Sequence, residues 1–281
     1  MEQLLIKFDG RIVVVTGAAG GGIGTNVARM LAQAGARVIA TSRSAAKLDQ
    51  NIAPLVAEGL AVTPVLADVS TDEGVAAIMA EALSAKGTLY GLVNVAGGAA
   101  PTSWMRATRV TREDWRQLFN QNLETMFFMS QAFAKELRER GLPGSIVGVS
   151  SISGMNTAPF HIAYGTAKAA IVAATRTLAV ELALDGIRVN TVAPGTTVTP
   201  GSGAYIDEDA ARDRAAIAMG RRATPAEQAG PIVFLLSDLS SYITGQTILV
   251  DGGLGLKWTH LGADNTSLFL KDEGFRNRIK L

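Results

Sequence analysis

Seven short apolar runs, at residues 12–15, 37–41, 62–66, 89–95, 145–149, 188–193 and 247–250, alternate with longer stretches of helical periodicity. Each run is apolar at nearly consecutive positions, which suits a strand covered on both faces rather than one with a wet side. Strands separated by helices pair in parallel through right-handed crossovers. The pattern therefore predicts an α/β fold: a single Rossmann-like doubly wound domain, with a seven-stranded parallel sheet flanked by helices on both faces. Punctuation agrees, since Gly35 stands where the first helix should end and Thr71-Asp72 where another should begin. With 281 residues, 48% of them hydrophobic, one compact core suffices. The domain is expected over residues 1–253, including a loop and charged helix at 200–222 able to move, followed by an extension over 254–281.

Charge narrows the partners. A net charge of +1 leaves no basic excess for nucleic acid or an anionic membrane, and neither partner is expected. Without any Cys, and with His161 and His260 as the two histidines, no disulfide or metal site is expected. Chemistry should rest on an organic cofactor. The first residues lack a charged segment followed by a long apolar one, and no run is long enough to span a bilayer, so a cytoplasmic location is expected.

The first strand runs into Thr16-Gly17-Ala18-Ala19-Gly20-Gly21-Gly22-Ile23-Gly24 and then a helix. Backbone amides and the positive end of that helix would face a phosphate there. Tyr164 and Lys168 stand four apart on the helical stretch 163–184, hence on one face. An ammonium beside a phenol favours the phenolate, so this couple can exchange a proton with an alcohol or ketone near neutral pH. Ser151 lies thirteen positions before the tyrosine at a strand end, and Asn122 lies in an earlier helical segment.

Read in order, the glycine loop, Leu92-Val93-Asn94-Val95-Ala96-Gly97, Asn122-Leu123, Ser150-Ser151, Tyr164 to Lys168, Val192-Ala193-Pro194-Gly195, Thr244-Gly245-Gln246 and Val250-Asp251-Gly252-Gly253 resemble the short-chain dehydrogenase/reductase family over most of the chain. The resemblance implies an NAD(P)-dependent oxidoreductase that interconverts a ketone and a secondary alcohol. It implies four catalytic residues. Tyr164 would exchange the proton, Ser151 hold the substrate oxygen, Lys168 lower the tyrosine pKa and bond the nicotinamide ribose, and Asn122 position a water linking Lys168 to solvent. It implies cofactor contacts from Gly17, Gly22, Ile23 and Gly24, from Asp68 and Val69 at the adenine, from Asn94, Ala96 and Gly97, and from Pro194, Gly195, Thr197 and Thr199 beside the nicotinamide. Asp68 also reads as a plain capping residue. Two departures stand out: four residues rather than three separate Gly17 from Gly22, and Val95 replaces the family's second Asn.

At the end of the second strand, Ser42-Arg43 replaces the acidic residue that would bind a ribose hydroxyl. NADP(H) is therefore expected over NAD(H), with Arg43 as the phosphate partner; Arg43 as a mere surface arginine is the alternative. Segment 98–105 with Ser153, Met155, Asn156, Phe160, His161 and Tyr205 should line a largely apolar cleft for a hydrophobic ketone or alcohol. His161 reads first as a structural histidine and second as a contact to a polar substrate group. Trp258, His260, Phe269 and Phe275 give the extension apolar weight, so it should pack on a neighbouring subunit or cover the cleft, a frayed terminus being the plainer alternative. A homotetramer is implied by the resemblance, with the helices after Asn122 and Tyr164 as interfaces. A non-catalytic nucleotide sensor or scaffold, and an enoyl reductase or epimerase on the same fold, stand as the other readings.

Overall fold

The computed structural model describes residues 6–200, 209–257 and 259–279. Its seven strands are β1 (Arg11–Thr16), β2 (Arg37–Ser42), β3 (Val62–Leu66), β4 (Thr88–Asn94), β5 (Gly144–Val149), β6 (Ile187–Pro194) and β7 (Thr247–Val250). They form one sheet in the order β3-β2-β1-β4-β5-β6-β7, with every pairing parallel. The chain thus winds outward twice from β1, and each strand coincides with one of the seven apolar runs to within two residues.

Alternation along β1 explains the two layers. Val13 and Val15 face one side, where they pack with Leu31 of α1 (Ile23–Gln33) and with Ile232 and Leu236 of a late helix, Pro225–Leu236. Ile12 and Val14 face the other, against Ile78, Phe133 and Leu137. The remaining helices, in chain order, are α2 (Ala45–Asn51), α3 (Ala53–Ala57), α4 (Asp72–Ser84), α5 (Arg112–Phe119), α6 (Thr125–Glu139), α7 (Ile162–Leu182), α8 (Ala210–Ala216), α9 (Pro225–Leu236) and α10 (Glu273–Ile279). Burying a side chain such as Phe133 or Leu137, both fully covered, contributes about 1.5–3 kcal/mol each.

Local chemistry sets the helix starts. Thr71 accepts the Gly74 N–H at 3.0 Å to open α4. Thr111 and Asp114 form a reciprocal capping box at α5, as Thr224 and Glu227 do at α9, where Pro225 occupies the first turn. All seven strands deliver their carboxyl ends to one edge of the sheet. Open α/β sheets hold ligands at that edge, near the point where the strand order reverses between β1 and β4.

Candidate active site

The end of β5 is stitched to α7. Ser150 donates its hydroxyl to the Lys168 carbonyl at 2.7 Å and its N–H to the Val192 carbonyl at 2.8 Å. The next hydroxyl, that of Ser151, accepts the Ser153 N–H at 3.1 Å and hydrogen-bonds the Tyr164 phenol. Lys168, 3% exposed, donates its ammonium to the Val149 carbonyl at 2.9 Å and lies 5.7 Å from the centre of the Tyr164 ring. Ser151, Tyr164 and Lys168 therefore converge at one strand end, although thirteen residues separate the first two.

The electrostatics correct one expectation. Burial pushes the Tyr164 phenol above its ordinary value, and the Ser151 hydrogen bond only partly opposes it. Lys168 does not offset this rise: its ammonium is turned to the Val149 carbonyl and lies 5.7 Å from the centre of the ring. Burial also depresses the lysine, to about 8. At neutral pH the pair is accordingly a neutral phenol beside a charged amine.

Asn122 is fully buried in a π-helical turn, Asn120–Glu124, that joins α5 to α6. Its amide donates to the Gly98 carbonyl and the Leu118 carbonyl, both at 2.9 Å, and its oxygen accepts the Gly98 N–H at 2.7 Å. Both amide protons are thus committed to the protein, and the side chain fastens the Gly97-Gly98 loop to the π turn.

A cavity of 370 Å³ opens at the carboxyl edge, lined by Gly17, Ser42, Arg43, Asp68, Val69 and Gly97, with Ala96 beside them. Gly17 takes φ +65°, and a Cβ there would lie 2.8 Å from the Ala96 backbone; one on Gly24 would lie 2.5 Å from the Gly17 carbonyl. The extra loop residue is absorbed by burying Ala18 and Ala19 and turning the chain at exposed Gly20 and left-handed Gly21. Gly22 caps α1, Ile23 opens it, and the loop faces Thr199 across 3.3 Å from the Gly22 Cβ direction. Asp68 accepts the Ser70 N–H and hydroxyl, which hold its carboxyl below the usual range, and Arg43 adds to that effect. Ser42 accepts the Ser44 N–H at 3.1 Å. Gly195 donates to the Val250 carbonyl at 2.9 Å immediately after Pro194 closes β6, and Thr197 bonds back to the Gly195 carbonyl at 3.1 Å. At the end of β4 the Asn94 amide donates to Ser130 of α6 at 2.9 Å and so braces the strand. Lys47, unanticipated from the sequence, lines the cavity one helical turn beyond Arg43.

A cradle of close-approach glycines with two cations at one end fits a dinucleotide phosphate chain. A family model described as enoyl-(acyl carrier protein) reductase matches residues 17–255. L-xylulose reductase of Bos taurus is 39% identical over 252 residues, covering 88% of this chain and 98% of its own. Dehydrogenase/reductase SDR family member 4 of Oryctolagus cuniculus is 37% identical over 245 residues, 86% of this chain and 93% of its own. The chain belongs to the short-chain dehydrogenase/reductase family. A solved short-chain type dehydrogenase/reductase from Mycobacterium ulcerans superposes with a TM-score of 0.83 at 33% identity, over 90% of this chain and 92% of that one. Membership carries NAD(P)-dependent oxidoreduction as the class of chemistry.

Beside the tyrosine of this short-chain dehydrogenase/reductase, His161 stacks on the Tyr164 ring at 4.5 Å and on Trp104 at 4.2 Å. Trp104 falls in the stretch 98–105 that the sequence singles out, but its pairing with His161, 57 positions away, left no local signal. Ser153 belongs to the short turn Ile152–Gly154 at the Ser151 hydroxyl. Asn156 meets the extension, its amide 2.9 Å from where a Gly255 Cβ would stand. Tyr205 and Trp258 lie outside the described residues. The extension grips its own chain behind α8: Lys257 donates to the Arg214 carbonyl at 2.6 Å and Asn265 to the Ala218 carbonyl at 2.8 Å.

Proposed function

We propose that this protein interconverts a ketone and a secondary alcohol on a hydrophobic small molecule, with Tyr164 as the general acid and base and NADP(H) as the preferred cofactor. The observation that carries this reading is the hydrogen-bonded Ser151–Tyr164 pair, whose phenol burial keeps neutral at the same edge as the glycine cradle. Two hydroxyls meeting at one point can donate to a single substrate oxygen, which suits a carbonyl better than an isolated carbon–carbon double bond. Tyr164 gives its proton to that oxygen in reduction and recovers it in oxidation. A bound nicotinamide supplies or accepts the hydride. Gly17, Gly22, Ile23, Gly24, Asp68, Val69, Ala96, Gly97, Pro194, Gly195, Thr197 and Thr199 would hold the dinucleotide, and Lys168, charged at neutral pH, would bond its ribose. Asn122 keeps the Gly98 loop in place for the same site. The reading is tested by following loss of reduced-nicotinamide absorbance over a panel of ketones with each cofactor; no turnover with any of them would overturn it.

The cofactor preference rests on Ser42, where no carboxylate repels a 2′-phosphate, and on Arg43 with Lys47 one turn later on α2. The wild type is expected to use NADPH at least about tenfold more efficiently than NADH, a charge-assisted contact being worth roughly 1.5–3 kcal/mol. Arg43→Asp should reverse that order; equal kcat/KM values for the two cofactors in the wild type would contradict it.

The extension acts on the cleft from within the chain in this reading, since Lys257 binds the Arg214 carbonyl in the last turn of α8 and Asn265 the Ala218 carbonyl just after it. A chain ended after Gly255 should show a several-fold higher KM and faster amide exchange over 210–219, with kcat changed less. Unchanged KM and exchange would contradict this. A cytoplasmic homotetramer goes with the proposal, α6 and α7 exposing Phe128 and Val180; no helix among the described residues is long and apolar enough to cross a membrane.

A further inference from the structure

His161 occupies a position that its side chain does not serve in the ordinary way. It is the N-cap residue of α7, where Ser, Thr, Asp or Asn would bond the first-turn amides, yet it makes no capping bond. Its ring is instead sandwiched between Trp104 and the Tyr164 phenol. Phe160, immediately before it, is held at φ +62°, a left-handed conformation that is strained for a bulky residue. The Met105 N–H, donated to the Phe160 carbonyl at 2.8 Å, ties that strained residue to the Trp104 loop. The strained backbone and the uncapped helix start leave the imidazole available for another use.

That use is visible in what the ring lacks. His161 is 8% exposed, and its Nε2 is buried with no hydrogen-bond partner among the described residues. A buried polar nitrogen left unpaired is costly, and a ligand oxygen that pairs with it recovers that cost. Burial keeps the imidazole neutral, so it offers one donor and one acceptor rather than a charge. We infer that His161 is the specificity-determining residue of the substrate cleft, and that it selects ketones carrying a second oxygen, as hydroxyl or carbonyl, one or two carbons from the reacting carbonyl. This rests on the proposed carbonyl chemistry at Tyr164: a substrate oxygen held by Ser151 and the phenol puts its neighbouring carbons beside the ring stacked 4.5 Å from that phenol. The exposed Trp104 ring closes the outer side of the stack and supplies apolar surface for the carbon skeleton.

The test compares cyclohexanone with α-hydroxycyclohexanone and with the β-keto ester built on the same ring. Wild-type kcat/KM is expected to favour the oxygenated ketones by about 10- to 100-fold. His161→Phe keeps an aromatic ring in the stack and removes the nitrogen, so the ratio should fall to about one; His161→Gln, which retains a donor, should recover part of it. A purely structural histidine would move all three substrates by the same factor and leave the ratio intact. Binding of cyclohexanol against the corresponding vicinal diol, followed by tryptophan fluorescence, reads the contact without turnover. A wild-type ratio near one, or a ratio unchanged in His161→Phe, overturns the inference while leaving the carbonyl reading standing. Absence of turnover on every ketone overturns the carbonyl reading, and a diol preference lost in His161→Phe would then still establish the contact.

Discussion

Tyr164→Phe is expected to lower turnover by about a thousandfold or more while the protein folds and binds cofactor as before. The substitution removes one oxygen and keeps the ring, so the His161 stack survives, and the group lost is the one that hydrogen-bonds Ser151. No other hydroxyl on α7 can replace it: the Thr166 hydroxyl bonds the Ile162 carbonyl, the Thr175 hydroxyl is paired with Thr191, and the Thr177 hydroxyl bonds the Ala173 carbonyl. Direction matters as well. Because burial raises the phenol pKa, the proton-donating form prevails at neutral pH and beyond the ordinary tyrosine range. Carbonyl reduction should therefore hold its rate through neutral pH, whereas alcohol oxidation, which needs the phenolate, should climb into the alkaline region. Steady-state rates over a pH series, with a cofactor titration and a thermal melt of the variant, check this. A variant that keeps even a tenth of wild-type turnover would contradict it.

Lys168→Met should separate activity from stability in opposite directions. The lysine is almost fully buried and its pKa falls from 10.5 to about 8, a shift corresponding to roughly 3 kcal/mol of penalty for holding a charged amine inside the folded protein. The penalty is complete below about pH 8, where folded and unfolded chains both carry the proton. It fades between about 8 and 10.5, where the folded chain has released the proton and the unfolded chain has not. Methionine fills similar volume without charge but leaves the Val149 carbonyl without its donor, which returns about 1–2 kcal/mol. The variant without cofactor should thus be about 1–2 kcal/mol more stable than the wild type at neutral pH, with the margin shrinking as pH rises past 8. Turnover should fall by at least about a hundredfold. Urea unfolding at two pH values beside initial rates measures both; a variant destabilised by more than a kcal/mol at neutral pH would contradict the electrostatic account.

Much of this molecule was legible because its signals are local. Parallel strands covered on both faces must be apolar throughout, so the seven runs marked the sheet. The i, i+4 spacing put Tyr164 and Lys168 on one helix face before any tertiary information. Properties that depend on distant partners were not legible. The π turn at Asn122 exists with a pairing to Gly98, 24 residues away. The expected acidification of Tyr164 fails because the direction of the Lys168 ammonium depends on where the Val149 carbonyl falls at the end of β5. The pairing of Asn94 was equally hidden, since its partner Ser130 lies on a helix that no short motif joins to it. The sandwich of Trp104, His161 and Tyr164 joins a loop to a helix start, and only the fold brings those rings together.

In this reading the Ser151 and Tyr164 hydroxyls together receive a carbonyl oxygen while a nicotinamide bound at the same sheet edge reduces its carbon. Incubating the wild type with a ketone from the panel and NADPH deuterated at the transferring position, then examining the product by mass spectrometry, tests it most directly. A secondary alcohol carrying one deuterium on the carbinol carbon is expected, and none formed at a comparable rate by Tyr164→Phe. An alcohol without deuterium, or one formed equally well by the variant, would contradict it.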